Sequence, residues 1–148
     1  MTLENDRDNG EAQCSYFIDM NWYQEHGRSF TLLATSRLCP SSQKKKIPKS
    51  EAGLLNTTKQ CCSKWEGFLT PSMPLLEMIF RLFLASGNKP LSLEQIQEKL
   101  QQRLIDSSEP RDLSIPRLKR IIDQDRYYGL RPVAPADVEE PNISAQSR

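Results

Sequence analysis

The longest apolar stretch of the chain is Leu75-Leu-Glu-Met-Ile-Phe-Arg-Leu-Phe-Leu-Ala85. Its Leu75, Leu76, Ile79, Leu82 and Phe83 fall at helical spacing, and apolar residues surround most of the axis. That pattern predicts a helix at the centre of a core. Ser72 is suited to cap it, with Pro74 in the first turn, where a missing N–H leaves nothing unpaired. Gly87 ends the helix and Asn88-Lys89-Pro90 turns the chain. Ser92-Leu-Glu-Gln95 then reads as a capping box, with Leu91 and Ile96 placed as its hydrophobic staple. The second helix continues through Leu100 to Leu104. A third begins at Ser114, carries Pro116 in its first turn and runs to about Gln124. On it Ile115, Leu118, Ile121 and Ile122 share one sector, and Arg117, Arg120 and Gln124 occupy the opposite one. Arg126-Tyr-Tyr-Gly-Leu-Arg-Pro-Val133 reads as a turn into a short strand.

The N-terminal half has a weaker pattern. Ser15-Tyr-Phe-Ile-Asp-Met-Asn-Trp-Tyr23 is aromatic-rich and partly alternating, which suits a strand. His26-Gly27 marks a turn, and Ser29-Phe-Thr-Leu-Leu-Ala-Thr35 would be a second strand, closing a small hairpin. Pro40 to Thr58 is a linker by composition, with Ser41-Ser42, Lys44-Lys45-Lys46, Pro48, Lys49 and Gly53. Residues 1–13 and 134–148 are polar and acidic and are expected to be disordered tails. The organisation expected is therefore a tail (1–13), a small aromatic and cysteine-containing β segment with a basic linker (14–69), a helical domain (70–133) and a second tail (134–148). The fold class is α+β and mainly helical.

Composition narrows the functional classes. The 148 residues carry a net charge of +1, so any attraction to a polyanion has to be local. Mean hydropathy is −0.61. No run approaches the roughly 18–20 apolar residues of a membrane span, since Glu77 and Arg81 interrupt the longest candidate. The first residues are unlike a signal peptide. The four cysteines are too few for a secreted disulfide scaffold, and two are adjacent, so a reduced cytoplasmic setting is expected.

Helices two and three, followed by Tyr127-Tyr128-Gly129, resemble the helix-turn-helix and first wing strand of winged-helix proteins over about residues 70–133. The resemblance implies a third helix that enters the DNA major groove through its exposed side chains. Those would be Arg117, Arg120 and Gln124, with Lys119 at the margin, and their types suit guanine and adenine edges. Arg126 and Arg131 would contact phosphates. The connection from Ile105 to Leu113 is longer than in a tight helix-turn-helix, and Asp123 and Asp125 reduce the positive potential. Protein docking by the same domain onto a larger assembly is the alternative.

Three further features bear on chemistry. Cys39-Pro-Ser-Ser42 resembles one knuckle of a zinc ribbon with its last cysteine replaced by serine, and Cys61-Cys62 stands near the place of a second knuckle. Zinc takes four ligands, so Cys39, Cys61 and Cys62 form an incomplete set, which Cys14 and His26 would complete although nothing in their spacing demands it; small buried hydrophobes are the alternative reading. Lys44, Lys45 and Lys46 concentrate charge that would bind phosphates by counterion release, or simply solvate a loop. Tyr16, Phe17, Trp22 and Tyr23 are expected in the core, with stacking on bases the alternative, and Trp65 and Phe68 are expected in the core as well. A single histidine without a matched nucleophile, and no phosphate loop or His-Glu-x-x-His, argue against an enzyme.

Overall fold

A computed structural model describes residues 15–105 and 111–133. Cys14, the two tails and the middle of the Ile105–Leu113 connection lie outside them. The described chain is α+β: β1 (Ser15–Ile18), α1 (Met20–Glu25), α2 (Phe30–Ser36), α3 (Pro40–Gln43), α4 (Glu51–Gln60), α5 (Leu75–Ala85), β2 (Leu91–Ser92), α6 (Leu93–Arg103), α7 (Ile115–Asp123) and β3 (Leu130–Pro132). A short 3-10 turn, Cys62–Lys64, follows α4.

The three helices expected in the C-terminal half form at the expected places. The capping box is complete, with Gln95 N donating to Ser92 Oγ at 3.1 Å and Ser92 N donating to Gln95 Oε1 at 2.9 Å. Such a cap stabilises by about 1 kcal/mol. The first helix starts later than its sequence suggests: Pro74 itself is the N-cap and Ser72 makes no capping bond to it. Helix α5 is nearly enclosed, burying Leu75, Met78, Ile79, Phe80, Leu82, Phe83 and Leu84. The core is built around it, and α4, α6 and β1 pack against it.

The sheet is antiparallel with strand order β2-β1-β3. Strand β1 is therefore central, and both its neighbours come from the C-terminal half. Tyr16 faces Leu91 on one side and Pro132 on the other, and Ile18 faces Leu130. Tyr16 and Ile18 point into the core, as alternation requires. The turn after α5 helps hold β1: Asn88, in the left-handed region at φ +61°, accepts from Ile18 N at 2.8 Å and donates to Ile18 O at 3.0 Å.

The N-terminal hairpin does not form. Residues 20–25 and 30–36 are helices, and both edges of β1 are already used by β2 and β3. Asp19 accepts from Asn21 N, and Ser29 accepts from Leu32 N at 3.1 Å, so each helix has a side-chain cap. Phe30, Leu33 and Ala34 then fall on one buried face at i, i+3 and i+4. The apolar run Phe-Thr-Leu-Leu-Ala fits either period over so short a length, and the caps decide for helix. The basic linker likewise contains α3 and α4. Ser50 caps α4 through Gly53 N, and the narrow buried face is Leu54 and Thr58 alone. A helix that buries so few residues has no apolar stripe to read.

Candidate functional site

The basic helix α7 is positioned from its buried side. Leu118 and Ile122 are fully enclosed, Ile115 and Ile121 half-buried, and the helix packs on α6 and β3. Its start is pinned by Gln97 Nε2, which donates to Leu113 O at 2.9 Å. Just upstream, one Arg111 Nη donates to the carbonyls of Pro71 and Met73, at 3.1 and 2.6 Å. Arg120 and Gln124 are exposed and Arg117 is half-buried, so the polar sector lies opposite the core as its spacing predicts. Lys119 is committed differently: its Nζ lies 2.7 Å from Asp123 Oδ2, which offsets its charge. Asp123 Oδ1 also accepts from Tyr16 Oη at 3.1 Å.

Beyond α7 the chain is shaped by one carboxylate. Asp125 is only 3% exposed. Its Oδ1 accepts from Tyr127 N and Tyr128 N, both at 2.9 Å, and its Oδ2 accepts from Leu130 N at 2.8 Å. The negative charge is thus turned inward onto amides rather than onto the helix surface. Gly129 has φ +75°, and a Cβ there would stand 2.7 Å from Tyr23 Cε1, so only glycine fits. Tyr23 Oη donates to Tyr128 O at 2.6 Å, and burial raises its hydroxyl pKa far above the usual value. The result is a rigid bend that leaves Arg126 and Tyr127 on the surface, Tyr127 46% exposed.

Arg28 joins this group. Its guanidinium lies 4.1 Å over the Tyr127 ring and 5.9 Å from Trp22, and Nη1 donates to Tyr127 O at 2.9 Å. Arg131 stacks 5.5 Å from the other participant ring, Trp22, while its Nη1 donates to Asp125 O and Leu130 O. Arg28 was not legible as a site residue. It sits 99 positions from Tyr127, and no local pattern marks the pairing.

Lys44, Lys45 and Lys46 are exposed just after α3. Lys44 lines a cleft of about 480 Å³ with Ser36, Arg37, Leu38, Trp65 and Arg81, none of which belongs to α7. Beside that cleft Glu77, 7% exposed, receives Arg37 Nη2 and Nε, Arg81 Nε, each at 2.8 Å, and Tyr128 Oη at 2.5 Å. Burial alone would raise the Glu77 carboxyl, but the bonds from Arg37, Tyr128 and Arg81 outweigh it and hold the pKa at about 2.

The cysteines fall into two environments. Cys39, the N-cap of α3, has its Sγ 3.3 Å from Ser42 Oγ, 3.4 Å from Ser41 Oγ and 3.7 Å from Cys61 Sγ. Burial pushes this thiol up, yet hydrogen bonds from Ser41, Ser42 and Cys62 together bring it below the ordinary thiol range. Cys62 is fully buried, accepts from Cys39 N at 3.1 Å, and is raised by that burial. His26 is elsewhere, stacked 4.3 Å on Trp22 with Nδ1 2.8 Å from Trp22 O. Among the described residues no group of three or more His, Cys, Asp or Glu is arranged to hold a metal ion. No helix among them is long and apolar enough to cross a membrane.

Comparison with protein-family models, with curated proteins and with solved structures finds no match.

Proposed function

We propose that the protein is a non-enzymatic, transcription-associated DNA-binding protein of the cytoplasm, with a winged-helix organisation over residues 70–133. Helix α7 would enter the major groove. The observation that carries this reading is the surface of α7 and its C-terminal end: Arg120 on the helix, Gln124 at its C-cap and Arg126 just beyond are exposed while Leu118 and Ile122 fix the opposite side in the core. Arg28, stacked on exposed Tyr127, lengthens the same basic surface beyond the helix end. The inward turn of Asp125 keeps that carboxylate off this surface, although Asp112 and Asp123 remain exposed beside it. The order α5, β2, α6, α7, β3 supports the winged-helix reading, with one departure: the strand between β2 and β3 is the N-terminal β1. Arginine in this position reads guanine or grips phosphate, and glutamine reads adenine. Lys44, Lys45 and Lys46 would add sequence-independent contacts to the backbone.

The competing reading is a docking adaptor that binds a larger protein assembly. The exposed apolar side chains Leu32, Trp65 and Ile105 favour it. Salt separates the two. With about five phosphate contacts, affinity for mixed-sequence duplex DNA should fall roughly 10²–10³-fold between about 50 and 200 mM salt. The Arg120→Ala/Arg126→Ala variant should reduce the slope of log affinity against log salt by about two. Fluorescence anisotropy of a labelled duplex measures both. Binding that ignores salt, or no binding by folded protein at the lower salt, removes the DNA reading and leaves the adaptor.

A further inference from the structure

The fold brings together two cysteines that lie far apart in sequence. Cys39 starts α3 and Cys61 ends α4, yet their sulfurs are 3.7 Å apart. A disulfide S–S bond is about 2.05 Å, so side-chain rotation over a short distance would join them. The two differ in access. Cys61 is half-buried, whereas Cys39 is 3% exposed and its sulfur is faced by the Ser41 and Ser42 hydroxyls. The third thiol, Cys62, also hydrogen-bonds the Cys39 thiol, but its burial keeps it from an external disulfide. It is fully buried, and its sulfur accepts the Cys39 N–H. Adjacent residues on a trans peptide have Cα atoms only about 3.8 Å apart, less than the roughly 4.4–6.8 Å that disulfides span, and no cis peptide occurs among the described residues.

We propose that Cys39 and Cys61 form a reversible thiol-modification site for low-molecular-weight disulfides, with Cys61 the entry point and Cys39 the resolving thiol. In the first step the Cys61 thiolate attacks one sulfur of the small disulfide. The disulfide bond breaks, a mixed disulfide forms on Cys61, and one small thiolate leaves and takes up the proton that Cys61 gave. In the second step the Cys39 thiolate attacks Cys61 Sγ. The mixed bond breaks, the second small thiol leaves, and a Cys39–Cys61 bond remains. The protein loses two electrons and two protons, and the small disulfide gains them as two thiols. The polar hydroxyls around Cys39 favour the thiolate that this second step needs. Oxidation would tie the start of α3 to the end of α4 and so fix the loop that carries Lys44, Lys45 and Lys46.

The test uses the full chain and oxidised glutathione, followed by alkylation, intact-mass measurement and non-reducing peptide mapping. The wild type is expected to pass through a glutathione adduct on Cys61 to a product two hydrogens lighter, with the Cys39 and Cys61 peptides linked. In Cys39→Ser the adduct on Cys61 should persist at least ~10-fold longer, because nothing resolves it. In Cys61→Ser, Cys39 should stay unmodified. The wild-type map stands even if a variant fails to fold, which circular dichroism would report. A stable adduct on wild-type Cys61, a linkage to Cys14 or Cys62 instead, or no reaction by the folded protein overturns the proposal.

Discussion

Glu77→Ala is expected to cost about 3–5 kcal/mol of folding stability, the range for removing one partner of a buried charge cluster. Three donors converge on this carboxylate: Arg37, which approaches with two nitrogens, Arg81 and the Tyr128 hydroxyl. Alanine leaves two largely buried guanidinium groups without their counter-charge, Arg37 keeping only Ser36 Oγ and Arg81 only Phe68 O as acceptors, and it also loosens the contacts between α2, α5 and the Tyr128 loop. Urea unfolding monitored by circular dichroism measures the loss, and a change below about 1 kcal/mol would mean the pair contributes no more than a surface ion pair. The same site has a pH signature. The folded carboxyl titrates at about 2, below its ordinary value of 4.5, so its contribution is present above 4.5 and is lost as pH falls towards 2. The difference in stability between the wild type and Glu77→Gln should therefore shrink across that window. A difference that stays constant from pH 6 to about pH 2 would contradict the assignment.

Asp125→Ala should cost about 3 kcal/mol, because three backbone N–H groups lose their acceptor and that of Leu130 is buried. Asp125→Asn should fall between, since an amide oxygen can still accept from Tyr127 and Tyr128 but an NH₂ would face Leu130 N. The expected signature is local as well as global: hydrogen exchange at Tyr127, Tyr128 and Leu130 should accelerate before the core opens. If exchange at these amides is unchanged, the carboxylate does not organise the bend. Arg126 and Tyr127 owe their outward placement to that bend, so on the proposed DNA-binding function the variant should also bind duplex DNA more weakly.

The sequence was most informative where an element buries a broad face. Helices α5, α6 and α7 announce themselves through apolar spacing and, for α6, a capping box that the structure reproduces bond for bond. It was least informative where elements are short. Phe30 to Thr35 satisfies strand and helix patterns alike, and the deciding information was in its cap, Ser29, as it was in Asp19 for Met20–Glu25. Helix α4 was hidden because Leu54 and Thr58 are its only fully buried residues. For the candidate site, the outward face of α7 was legible from spacing, but the commitments of its charges were not. That Lys119 pairs with Asp123 lies at helical spacing and could have been inferred. That Asp125 turns inward, and that Arg28 reaches Tyr127, depends on tertiary contacts between distant parts of the chain. The same holds for the Cys39–Cys61 approach, which follows from how α3 and α4 meet.

The most direct test of the DNA reading is ¹H–¹⁵N chemical-shift mapping of the full chain against a short mixed-sequence duplex at low salt. The account predicts perturbations concentrated on Arg117, Arg120, Gln124, Arg126 and Tyr127, with the Arg28 side chain and the exposed Lys44, Lys45 and Lys46 following. Shifts that leave Arg117, Arg120, Gln124 and Arg126 unperturbed, or none at protein and duplex concentrations of about 0.1 mM, where even the weaker end of non-specific binding would register, would contradict it.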